Sequence, residues 1–189
     1  MRFVAKLLLL NLLLLAPAIM AATMTEVEVT NEKQRYRMTA TAVLQAATDN
    51  VIEIMVAYDE LTNINPYLLE SRLLSSNGDT QRVSMTTRTC FMLICYKMQH
   101  VQDFVRPDKQ TIYSEFIPEL SDFKHGWTRW SATSVEGTGQ PTTLLKIELE
   151  VEPDFFIMPI IGTRVLKDKL IEITEVTIDN LEKKAGSLP

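Results

Sequence analysis

The sequence predicts an α+β fold in which a curved antiparallel sheet closes against a long C-terminal helix. Short runs of alternating apolar and polar residues recur from Tyr36 to Val151, separated by turn residues. These runs cluster between helical patterns rather than alternating with them, which separates α+β from α/β. The longest helical stripe lies near the end of the chain, where it can cover one face of such a sheet.

The chain opens with Arg2 and Lys6, an apolar run from Leu7 to Leu15, and small residues up to Ala22. Basic, apolar and small segments in that order mark a cleavable secretory signal over residues 1–22. The stretch from Leu7 to Ala22 contains Pro17 and falls short of the roughly 20 apolar residues that a spanning helix needs. The secreted product, residues 23–189, is therefore expected to be a soluble single domain outside the cytoplasm, with no stable membrane anchor. Transient membrane contact stays open.

From Tyr36 to Leu44 the residues alternate as a strand with one covered face. Thr48, Asp49 and Asn50 offer N-cap side chains to a short helix carrying Val51, Ile52, Met55 and Val56. Asn63 to Pro66 ends it, since proline disfavours helical geometry in the residue before it. Strands follow over 67–76 and 80–91, with Asn77-Gly78-Asp79 as the turn. Cys90 and Cys95 flank a tip, so 94–105 returns antiparallel. Further strands are expected over 110–117, 124–135 and 142–151, with a loop at Pro118–Asp122. Pro159 is tolerable in the first turn of the final helix. Leu166, Leu170, Ile173, Thr177 and Leu181 form its stripe, widened by Val165 and Val176, while Lys183 and Lys184 complement its dipole. If that stripe closes the sheet, Leu170→Ala costs about 2–5 kcal/mol as a buried truncation.

Charge and composition exclude some functions. The net charge is −5, and it falls to −7 once Arg2 and Lys6 leave with the signal. An acidic product without a basic cluster is a poor partner for nucleic acid. If Cys90 and Cys95 are bonded to each other, only two histidines, His100 and His125, remain, too few for an ordinary zinc site, so no metal is expected. The cysteines are not spaced as a redox pair, and in an oxidising compartment a structural Cys90–Cys95 disulfide follows. The acids Asp59, Glu60, Glu152 and Asp154 read as solvated groups at element ends. No nucleophile motif, phosphate loop or histidine cluster appears, and no cofactor is expected.

The order of elements resembles the START-like (SRPBCC) superfamily, of the polyketide cyclase and coenzyme Q-binding type found among exported bacterial proteins. The resemblance covers about residues 34–184. Its pieces are Tyr58-Asp59-Glu60-Leu61 through Asn65-Pro66, Trp130 in the strand after the 118–123 loop, Glu152 to Phe156, and Pro159-Ile160-Ile161-Gly162. It implies a helix-grip architecture, with an apolar cavity between sheet and C-terminal helix for lipids, sterols, quinones or polyketide intermediates.

If the Cys90–Cys95 hairpin is regular, Thr87 faces Met98 and Met85 faces His100. Directly opposed residues share a face, so Val83, Met85, Thr87 and Thr89 point with Met98 and His100. Ile112, Ser114 and Phe116 continue that face, as do Thr128, Trp130 and Ala132. Met85, Met98, Phe116 and Trp130 are expected to line the cavity, met by Phe156, Ile161 and Val165 from the start of the helix. Val101 falls on the opposite phase, and a bulge would explain it. Three functions stay open. The first is an exported binding protein for a hydrophobic small molecule, lipid-, quinone- or polyketide-like. The second is a cyclase- or hydrolase-like enzyme on an aromatic or polyketide-like substrate, and the third an interaction module with a filled core.

Overall fold

The computed structural model describes residues 23–91, 94–158 and 160–188. The expected signal lies outside these residues, as do Met92 and Pro159. Strands β1 (Thr23–Glu32) and β2 (Arg35–Leu44) lead to helix α1 (Thr48–Val56) and a 3-10 segment, Tyr58–Asn63. Then come β3 (Leu68–Asn77), β4 (Thr80–Phe91), β5 (Ile94–Val105) and β6 (Thr111–Phe116). A 3-10 turn at Pro118–Leu120 precedes β7 (Phe123–Ser134), β8 (Thr143–Pro153) and the final helix α2 (Ile161–Ala185).

The eight strands form one antiparallel sheet in the order β1-β2-β8-β7-β6-β5-β4-β3, curved around α2. The pattern that builds it is visible in β2, where Tyr36, Met38, Ala40, Ala42 and Leu44 are buried and the residues between them are more exposed. The outer face is a charged ladder. Arg35 pairs with Glu152, Arg37 and His125 with Glu150, and Arg129 with Glu148. Apart from Glu150, which its partners cover, these groups stay near water, so the inner face is the one that must be covered by apolar packing.

Strand β1 departs from expectation, because the sequence reading begins at Tyr36. It carries only Val27 and Val29 between acids, a weak alternation, and gains its place by pairing with β2 after a turn in which Lys33 takes φ 58°. The start of α1 also differs. Its N-cap is Ala47, with no side-chain cap; the Thr48 hydroxyl instead meets Thr143 Oγ1 at 3.0 Å, and Asn50 donates to Ala185 O at 3.1 Å. The candidate capping side chains thus lock α1 against β8 and the end of α2.

The β4–β5 hairpin is regular from Thr80↔Val105 to Phe91↔Ile94, with Thr87 opposite Met98 and Met85 opposite His100. No bulge is needed for Val101. Segment 117–122 runs on along β5 there, with Ile117 N–H donating to Val101 O at 2.8 Å and Val101 N–H to Ser121 Oγ at 3.0 Å. Cys90 and Cys95 are opposed at the hairpin tip and form a disulfide. Closing so short a loop stabilises by about 2 kcal/mol in the chain-entropy account. Reduction is therefore expected to lower the urea midpoint without unfolding the protein, and thiol titration before reduction to find no free cysteine.

Helix α2 grips the sheet unevenly. Its buried residues, Thr174, Thr177, Ile178, Leu181, Glu182 and Ala185, all lie in the second half. Polar contacts fix the same half. Asn180 donates to Ile64 O at 3.1 Å, and Glu182 Oε1 accepts the Gln45 N–H at 2.6 Å. No residue of the first half is fully buried.

Candidate functional site

The unevenness of α2 creates the site. Beneath the half-buried Leu166, Leu170 and Ile173, the sheet curves away and leaves a cavity of about 270 Å³. That lies just below the roughly 300–1,000 Å³ common for ligand pockets. Met85, Met98, Phe104, Ile112 and Trp130 supply its apolar floor from four adjacent strands. Met55, Leu61, Ile64 and Leu68 close the side toward α1. Met side chains adapt to irregular shapes, which suits a floor that must fit a guest.

Of the residues expected at the cavity, Met85, Met98 and Trp130 line it. Phe116, Phe156, Ile161 and Val165 do not. Phe116 is buried at the end of β6, on the correct face but behind the wall. Its ring lies against Gly126, where an added Cβ would come within 2.6 Å of it. From there it stacks on His100 at 5.4 Å and meets Phe123 edge-on at 5.1 Å, bracing two residues that do line the cavity. Phe156 and Ile161 are 76% and 59% exposed. Strand alternation continues past the end of β8, so Val151, Pro153 and Phe155 face inward and Phe156 outward. The first turn of α2 overhangs the sheet, and Leu166, not Val165, is its first residue on the cavity.

The polar part of the site was not anticipated as a unit. A chain of hydrogen bonds crosses the inner face through Thr128, Ser114, Gln102, His100 and Thr87. Ser114 Oγ–H donates to Gln102 Oε1 at 2.6 Å, which turns the Gln102 amide nitrogen to His100 Nδ1 at 2.8 Å. Nδ1 is then the acceptor, so the imidazole proton sits on Nε2 and is donated to Thr87 Oγ1 at 3.0 Å. With the Ser114 proton engaged, the 2.7 Å contact with Thr128 has Thr128 as donor. Burial pushes His100 down from 6.5 to about 4, opposed by the charge of Asp122, so it is neutral at pH 7. The Thr89 hydroxyl, two residues beyond Thr87 on the same face, is buried with no hydrogen-bond partner among the described residues.

At the helix side, Lys169 is the one charged residue on the cavity wall among the described residues. Its ammonium and the Tyr67 hydroxyl both donate to Glu172. Those bonds hold Glu172 below the usual carboxylate range, and the bond to Glu172 pushes Tyr67 up to about 12. The loop acid Asp122 accepts the Gln99 N–H at 2.7 Å, and Asp59 accepts the Leu73 N–H at 2.8 Å, so both serve the backbone. His125 stands on the outer face beside Glu150. Among the described residues no cluster of His, Cys, Asp and Glu could hold a metal ion, and no helix is long and apolar enough to cross a membrane.

No protein-family model matches the chain, and no curated protein matches it in sequence. Solved structures do match. A START superfamily protein from Mycobacterium smegmatis superposes with a TM-score of 0.64 at 18% identity, over 81% of this chain and 99% of that one. The Zhui aromatase/cyclase from a Streptomyces species gives 0.65 at 13%, over 80% and 94%. A STAR-related lipid transfer protein from Xanthomonas axonopodis gives 0.61 at 13%, over 86% and 99%. At these identities the likeness concerns the fold, which is START-like: a helix-grip sheet around a long C-terminal helix.

Proposed function

We propose that this chain is an exported, soluble binding protein that holds a hydrophobic small molecule, lipid-, quinone- or polyketide-like, between its sheet and α2. The observation that carries this reading is the unfilled cavity under the loosely gripped half of the helix, walled mostly by apolar side chains. A filled core, as an interaction module would have, lacks such space. The structures it resembles include a lipid transfer protein and an aromatase/cyclase. The enzyme reading stays second because of His100. Both its ring nitrogens are engaged by Thr87 and Gln102. A histidine near 4 is also a weak base at neutral pH. Export rests on the basic, apolar and small order of residues 1–22.

Native mass spectrometry of protein purified from its own cells tests the whole reading. The expected species is a chain lacking about the first 22 residues with one apolar small molecule bound. Met98→Trp, which fills the floor of the cavity, should abolish that adduct while the fold survives. A folded variant that keeps the same ligand at the same occupancy would place the ligand elsewhere. A wild-type protein with no adduct, in its natural setting, would favour the interaction module.

A further inference from the structure

Between the end of β8 and the first turn of α2, Phe155, Phe156, Met158, Ile160 and Ile161 are all exposed, Phe156 to 76% and Ile160 to 85%. Leu120, also exposed, stands on the 3-10 turn whose loop is tied to this segment by Asp154 N–H donating to Asp122 O at 2.9 Å. Exposed apolar runs of this size mark interaction surfaces, unlike single scattered side chains. The run is not loose chain. Ile157 turns inward onto the cluster of Tyr36, Phe116 and Val151, so close to Gly162 that a Cβ there would come within 2.9 Å of it. Gly162 N–H donates to Met158 O at 2.9 Å across the bend. With its inward residue pinned, this elbow holds the others toward solvent. Ile160 carries a second cost, since φ 68° and ψ −70° place it in the strained γ-turn region that β-branched residues rarely enter. Among the described residues no contact offsets the strain or the exposure, and strain of this kind gathers at functional segments.

We infer that this elbow is a docking surface for a lipid bilayer, into whose interface Phe156, Met158, Ile160 and Ile161 insert while the rest of the domain stays outside. The exposed run is a separate observation from the cavity, and it calls for a cover whether or not the cavity holds a guest. A stable protein interface takes about 20–30 residues a side, and one short elbow supplies too few for a second copy of this chain. Charges around it nearly cancel: Lys124 pairs with Asp154 at 3.2 Å, and Arg164 and Lys167 are followed by Asp168. A charged partner finds little field to follow, whereas a bilayer interface takes apolar side chains without directional bonds. Arg164, exposed one helical turn behind Ile160, has a stem long enough to reach lipid phosphate while the tip is buried. Phe155 and Leu166, which flank the run in the chain, line the cavity, so the elbow joins that apolar interior to the surface.

The test is sedimentation of the full mature protein with phosphatidylcholine vesicles, with and without phosphatidylglycerol. Partition into phosphatidylcholine alone is expected, and the anionic lipid should strengthen it by less than about 5-fold, the gain that one unopposed cation near the surface supplies. Phe156→Ser should weaken partition at least about 10-fold, as the loss of one large apolar side chain from the interface requires, and leave the melting temperature unchanged. Ile160→Gly should weaken it to a similar degree and melt at the same temperature or higher, because glycine accepts the γ-turn geometry without strain. A purely structural elbow would do the opposite, with both variants melting lower and partition untouched. No partition into either vesicle, or partition that both variants retain, overturns the proposal. Partition that requires phosphatidylglycerol and disappears in salt overturns it in favour of an electrostatic site. Self-association of the wild type that Phe156→Ser abolishes overturns it in favour of a second copy of this chain. The adduct in native mass spectra reports on the cavity separately, so either reading can fail without the other.

Discussion

Ile178→Ala is expected to lower the unfolding free energy by about 2–5 kcal/mol, the range for a large-to-small change at a fully buried site. Ile178 is 1% exposed in the main core, on the half of α2 pinned to Gln45 and Ile64. Rigid surroundings cannot collapse into the space left behind, so the cavity term adds to the lost transfer energy. Leu170 should behave differently. It is half-buried over an existing void, and its truncation mainly enlarges that void. Leu170→Ala is therefore expected to cost about 1 kcal/mol, below the value that its place on the stripe suggests. Urea denaturation of the two variants reads the difference directly. Equal losses would mean that α2 is gripped evenly along its length, and the space beneath its first half would lose its rationale.

That contrast also shows what the sequence could disclose. Period-two alternation between clear turns is a local signal, so β2 through β8 and their order were legible before any coordinates. The Cys90–Cys95 pair fixed the register of the β4–β5 hairpin, because opposed cysteines leave a single pairing. The helix stripe was legible too, but not which half of it holds; Ile178 lies off the stripe and is buried because α1 packs there as well as the sheet. β1 escaped because its alternation is carried by two valines among acids, and its stability comes from pairing with β2. Phe155 and Phe156 were exchanged for a similar reason. Nothing local tells whether strand phase continues past Pro153, although counting on from Val151 would have put Phe155 inside. The polar chain was hidden differently. Thr87, Ser114 and Thr128 all stood on the inward phases, yet their meaning depends on strands brought together from distant parts of the chain.

The same chain gives the protein a measurable acid sensitivity. His100 titrates at about 4 in the fold and near 6.5 when exposed on unfolding, because burial disfavours its cation. Below pH 6.5 the unfolded state therefore binds a proton that the folded state refuses, and stability falls as pH falls. The contribution is fully present above pH 6.5, declines between pH 6.5 and 4, and has gone once the folded imidazole is protonated too. The total is about 3 kcal/mol, with a slope near 1.4 kcal/mol per pH unit at pH 5. Carboxylates held low by their partners, such as Asp103 beside Arg82, lose their share further into acid and do not fill this window. His100→Gln keeps a hydrogen-bonding side chain but removes the titration. Urea midpoints measured from pH 7.5 to 4.5 should thus fall more steeply for the wild type than for His100→Gln, and superimposable profiles would sink the assignment. Protonation also has a structural consequence. A cationic imidazole donates from Nδ1, where it now accepts from Gln102, so the Gln102 amide must turn over, accept from His100 and donate to Ser114 Oγ. Ser114 then becomes the donor to Thr128, so acid reverses the bonds from His100 through Gln102 and Ser114 to Thr128, while His100 Nε2–H goes on donating to Thr87.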